Sequence, residues 1–89
     1  MRLPQKLVAA INTYYAFKNG DGMFISGEAK KACLEEIDKQ ATFYCYGLVI
    51  VPGVIFLSRG KKVARINGPF LPGTSTVSFT EDHGYVPAH

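Results

Sequence analysis

Four cations, Arg59, Lys61, Lys62 and Arg65, stand within residues 59–65, and residues 42–80 contain no acid. Tyr44 and Tyr46 precede them two residues apart, the spacing that places both rings on one face of an extended strand. Guanidinium and ammonium groups neutralise phosphate and phenol rings stack on bases, so these six residues could grip a nucleic acid. On a strand, however, Lys61, Val63 and Arg65 face one way while Lys62, Ala64 and Ile66 face the other. The charges then gather at a turn and form no continuous face. A solvated hairpin tip that blocks edge-to-edge aggregation is the simpler reading.

Catalytic chemistry has less to work with. His83 and His89 are the only histidines, and nothing in the spacing brings either near Cys33, Cys45 or a serine as a base for a nucleophile. Arg59, Arg65, His83 and Tyr85 are residue types that small basic ribonuclease toxins use, but they form no motif of such a family. Asp82 with the two histidines falls short of a metal set. We expect no catalytic group, no cofactor and no metal. Cys33 and Cys45 lack metal or redox spacing and read as buried thiols in a reducing compartment.

Residues 17–28 resemble the calcium loop of the EF-hand family. Asn19, Asp21, Gly22 and Glu28 fall at its third, fifth, sixth and twelfth positions. The resemblance implies a cation held by oxygen ligands. Its first position is Phe17, which offers none, and the chain has one such loop where the family pairs two. An ordinary turn between two helices explains the glycines equally well.

The elements that would position these residues follow from periodicity. Leu3, Leu7, Val8, Ile11, Tyr14 and Tyr15 recur at helical spacing from about Pro4, until Asn19, Gly20, Asp21 and Gly22 stop the helix. Ser26 is a candidate cap for a second helix running to about Ala41, with Ala29, Cys33, Ile37 and Ala41 as its apolar stripe and Leu34 alongside. From Thr42 the composition turns β-branched and aromatic. Strands are expected over residues 42–51, 54–57, 61–66 and 74–80. The uncharged run 40–58 is long enough for a membrane span, but Pro52 and Gly53 inside it favour two buried strands joined by a turn. The expected fold class is α+β, two N-terminal amphipathic helices packed on a three- to four-stranded antiparallel sheet. Residues 1–82 would form one domain and residues 83–89 a C-terminal tail.

With 89 residues the chain is too short for a dinucleotide-binding domain, an α/β barrel or a kinase. Its apolar content of 47% and charged content of 19% argue against disorder. The net charge of +3 is mild. No apolar leader opens the sequence, so a cytoplasmic location is expected. Five tyrosines and six phenylalanines are a composition suited to interfaces. We therefore expect a small non-enzymatic protein, an inhibitor or adaptor that occupies a surface on a larger protein partner. By size and composition alone it compares with accessory proteins of phages and mobile elements. The alternatives are a nucleic-acid binder or small ribonuclease using Arg59, Lys61, Lys62 and Arg65, and a degenerate calcium loop. Exposed sheet edges on a thin core point to a homodimer.

Overall fold

A computed structural model of the chain describes residues 1–17, 26–51 and 54–81. Two helices, α1 (Gln5–Ala16) and α2 (Gly27–Phe43), precede four strands, β1 (Gly47–Val51), β2 (Val54–Arg59), β3 (Lys62–Ile66) and β4 (Thr80–Glu81). The strands form one antiparallel sheet in the order β1-β2-β3-β4. The α+β class is thus observed, with α1 near the N-terminus and α2 in the middle of the chain.

The helices begin where the residues can satisfy their first amide groups. Pro4 is the N-cap of α1. It caps with no side chain, and it stands where a missing amide hydrogen costs nothing. Ser26 caps α2 by accepting from the Ala29 amide at 3.1 Å, and Glu28 sits in the first turn, where its charge favours the helix dipole. Leu7, Val8, Ile11 and Tyr14 of α1 and Cys33, Ile37 and Ala41 of α2 are buried, as the periodicity predicts. Ala29 and Leu34 are half-buried. The buried helical residues share one cluster with Leu3, Tyr46, Ile55, Leu57 and Ile66, and Leu34 packs against it. Tyr15 also reaches across to the sheet, its hydroxyl donating to the Ile66 carbonyl at 2.7 Å.

The first strand starts later than the sequence predicts. Residues 42 and 43 belong to α2, and residues 44–46 are its exit. The Cys45 amide donates to the Thr42 carbonyl and the Tyr46 amide to the Ala41 carbonyl, at 3.1 and 2.8 Å. Together with φ of 65° at Cys45, this is the Schellman termination, a left-handed residue just past the helix. Glycine usually occupies that position. Cysteine does here, so the sequence carries no visible stop signal. Cys45 is also exposed and only Cys33 is buried, which corrects the expectation of two buried thiols.

The two turns that organise the sheet half do carry their glycines. Gly60 and Lys61 join Arg59 to Lys62, and Gly60 takes φ of 63° while Lys61 does not go positive. That is the type II′ pattern that suits the twist of a hairpin. Pro72 and Gly73 (φ 79°) lie between the Leu71 carbonyl and the Thr74 amide, which bond at 2.9 Å in a type II pattern. The strand expected over residues 74–80 is only partly formed. Residues 75–77 pair with residues 1–3 through Leu3 to Ser75, Val77 to Met1 and Met1 to Val77 bonds, each 2.8 Å. Only Thr80 and Glu81 reach β3. The turn proposed at residues 52 and 53 lies outside the described residues.

Among the described residues no helix is long and apolar enough to cross a membrane.

Candidate functional site

Register divides the sheet into two faces. Leu48, Ile50, Ile55, Leu57, Arg59, Lys62, Ala64 and Ile66 share one, and Ile55, Leu57 and Ile66 of that set join the main cluster. Gly47, Val49, Val51, Val54, Phe56, Ser58, Val63 and Arg65 share the other. Phe56 and Val63 are buried on this second face, apart from the main cluster.

The six residues singled out from the sequence do not form one site. Tyr44 and Tyr46 are not on a strand face. Tyr44 is the C-cap of α2 and half-buried, and Tyr46 is the residue that completes the helix termination. Tyr46 is only 6% exposed, so its ring cannot receive a base. The guanidinium carbon of Arg59 lies 4.1 Å from the centroid of that ring. Phe79 stacks on the same ring at 5.8 Å, with an interplanar angle of 14°. Arg59 Nη2 donates to the Tyr44 carbonyl at 2.8 Å. A cation thus meets a backbone carbonyl at the C-terminal end of α2, the end that a helix dipole makes negative. Arg59 is occupied in joining β2 to the α2 exit.

The remaining cations diverge. Lys61 lies in the hairpin turn and Lys62 at the start of β3, both exposed, and neither side chain makes a hydrogen bond or ion pair among the described residues. Arg65 projects from the other face. Its Nε donates to Asn67 Oδ1 at 2.8 Å, and its guanidinium carbon stands 6.0 Å from the Phe56 ring centroid. Arg65 lines a groove of about 470 Å³ floored by Phe56 and Val63 and edged by Thr76, Ser78 and Thr80. That groove was not legible in the sequence, because the residues facing across it are contributed by strands whose pairing no local pattern reveals.

Burial perturbs three titratable groups. The Cys33 thiol is pushed up by desolvation, as is the Tyr14 phenol, which also feels Cys33. Tyr15 is pushed up to about 12, by burial first and by Tyr14 second. These shifts suppress reactivity, the opposite of what a nucleophile or base at neutral pH requires.

Most of the loop resembling a calcium site, together with Asp82, His83, Tyr85 and His89, lies outside the described residues. Among those described, no group of three His, Cys, Asp or Glu side chains could hold a metal ion. No known protein family, curated protein or solved structure matches the chain.

An edge remains. β1 lies at one edge of the sheet and, among the described residues, pairs only with β2. Its sequence is Gly-Leu-Val-Ile-Val, uncharged, with Leu48, Val49, Ile50 and Val51 each half-buried. Phe43, four residues earlier, is 74% exposed and meets Tyr44 edge-on at 4.9 Å.

Proposed function

We propose that this chain is a non-enzymatic, cytoplasmic binding protein, an inhibitor or adaptor that occupies a surface on a larger protein partner. In this arrangement the helix pair covers the Ile55, Leu57 and Ile66 side of the sheet, and the β1 edge is left for the partner. The observation that carries the reading is β1 itself. Its outer row of amide and carbonyl groups has no strand partner among the described residues, and Gly47–Val51 itself contains no Lys or Pro. Such an edge accepts a strand from another protein, with main-chain bonds supplying affinity. Exposed Phe43 beside it adds an aromatic anchor.

Without that partner the same edge suits a second copy. Antiparallel pairing about a two-fold axis sets Val49 opposite Val49 and Leu48 opposite Ile50, apolar against apolar on both faces. Light scattering should then read twice the 9.8 kDa chain mass, and a monomer at all concentrations would end this part of the proposal. For the partner, hydrogen exchange on the captured complex should show amides 47–51 slowed, and Val49→Lys or Val51→Lys should weaken capture. Protection confined to other residues, with both variants binding normally, would overturn the reading.

A second reading rests on Lys61 and Lys62, whose exposed side chains have no hydrogen bond or ion pair among the described residues. They are free to contact phosphate in a nucleic acid. In that case replacing both with Gln removes about two units from the slope of log affinity against log salt. A salt-insensitive interaction would exclude it.

A further inference from the structure

The register fixes which main-chain groups of β1 face outward. Gly60 and Lys61 make a two-residue turn, so Arg59 and Lys62, which close it, exchange hydrogen bonds. Bonded and non-bonded pairs alternate along an antiparallel ladder. Ile55, Leu57 and Arg59 therefore turn their amides and carbonyls toward β3, and Val54, Phe56 and Ser58 turn theirs toward β1. Opposite these, Gly47, Val49 and Val51 bond back to β2. Within β1, Leu48 and Ile50 alone present amides and carbonyls at the edge. Two residues before Leu48, the Tyr46 amide is bonded to the Ala41 carbonyl at 2.8 Å. Two residues after Ile50 stands Pro52, which has no amide hydrogen.

The edge is thus short, and its surroundings give it a direction. An antiparallel strand, the arrangement of every other pair in this sheet, meets both donors and both acceptors with three residues. Its first and third residues, opposite Ile50 and Leu48, fall on the face of Ile55 and Leu57, where Leu48 and Ile50 pack against the main cluster. Apolar side chains suit that face. The second falls beside Val49 on the other face, where a β-branched residue suits. Such a strand runs from the Val51 end to the Gly47 end, and Gly47 pairs with Ser58, next to the Arg59–Lys62 turn. Its following residues approach Lys61 and Lys62, whose exposed side chains have no hydrogen bond or ion pair among the described residues. Residues 42–80 contain no acid to compete for them.

Resting on the reading of β1 as the partner edge, we propose that the partner supplies a short extended segment antiparallel to β1: an apolar, a β-branched and an apolar residue, then Asp or Glu toward its C-terminus. Main-chain bonds to Leu48 and Ile50 hold it, and the charges of Lys61 and Lys62 select its direction. A second copy of this chain is the poorer occupant, because residues 52–58, which follow its β1, contain no acid.

The test is an amide NMR titration of the whole chain with synthetic peptides. One is acetyl-Thr-Ile-Val-Leu-Thr-Asp-Glu-Asp-amide, and a second carries the same acids at its N-terminal end. Three more are the first peptide N-methylated at Ile, Val or Leu. We expect the acid-last peptide to shift the amides of Leu48 and Ile50 and to bind at least tenfold tighter than the acid-first one, a difference that closes at high salt. N-methylation at Ile or Leu, whose amides face β1, should weaken binding at least tenfold, and at Val, whose amide faces away, it should change little. Lys61→Gln with Lys62→Gln should make the acid-last and acid-first peptides equal. Ile50→Pro removes an outward donor and no bond to β2, so it should keep the amide dispersion of the folded chain and lose the peptide. If that variant unfolds, the N-methylated peptides still decide. Equal binding of acid-last and acid-first peptides, or an N-methyl at Val as damaging as one at Leu, overturns the inference and leaves β1 as a partner edge. No shift at Leu48 and Ile50 with any peptide at millimolar concentration also overturns it, and hydrogen exchange on the captured complex then judges the edge separately.

Discussion

Arg59 covers Tyr46. The guanidinium carbon stands 4.1 Å from the ring centroid while its Nη2 holds the Tyr44 carbonyl. One side chain on β2 thereby closes over the residue that ends α2 and the residue that leads into β1. A cation that reads from the sequence as part of a basic tip is structural, and its hairpin neighbours are not.

That difference is measurable. Arg59→Ala removes a cation–π contact and a charged hydrogen bond, and should lower unfolding stability by about 1–3 kcal/mol in urea titrations. Lys61→Gln with Lys62→Gln, which breaks no side-chain hydrogen bond or ion pair among the described residues, should change it by under about 0.5 kcal/mol. Equal losses from both variants would contradict the assignment of Arg59.

Cys45 holds a left-handed conformation at φ 65° without being glycine. The strain of a non-glycine residue there is about 1 kcal/mol. Cys45→Gly should therefore be neutral or slightly stabilising despite the extra freedom of the unfolded chain, whereas Cys45→Val should destabilise by more than about 1 kcal/mol. Thermal melts of the two variants side by side decide it.

The two thiols should react on different timescales. Cys45 is exposed, while Cys33 is buried and its thiol is held above the ordinary range by desolvation. A thiol reagent under native conditions should modify Cys45 promptly and reach Cys33 only as the chain opens. Mass spectrometry after brief labelling would show Cys33 modified first if this packing were wrong.

Alkaline pH should loosen the helix–sheet contact. Tyr15 is raised from 10.0 to about 12, chiefly by burial, so folding favours its neutral phenol. The stability it contributes is whole below pH 10 and is lost as pH climbs from about 10 toward 12. Melting temperature should fall through that window, and Tyr15→Phe should make the fall shallower while losing the bond to the Ile66 carbonyl. An equally steep fall in the Phe variant would assign the transition to other groups.

Local chemistry alone determined a good part of this protein. The Ser26 cap, the apolar stripes of both helices, the Gly60 and Gly73 turns and the antiparallel pairing of the uncharged strands all depend on neighbours a few residues apart. Periodicity and turn preference act at that range, and the sequence displays them directly. The end of α2 did not show, because Cys45 takes a glycine's conformation and the bonds to Ala41 and Thr42 hold it there. Tertiary structure also decided which of the four clustered cations are available. Arg59 is claimed by the exit of α2 and Arg65 lines a groove on the opposite face, while the Lys61 and Lys62 side chains have no hydrogen bond or ion pair among the described residues. That groove exists because residues 75–77 pair with residues 1–3, some 70 positions away, and so abandon the upper half of β3. No local pattern encodes such a choice: the competition between two pairings for one segment is settled only when the whole chain has packed.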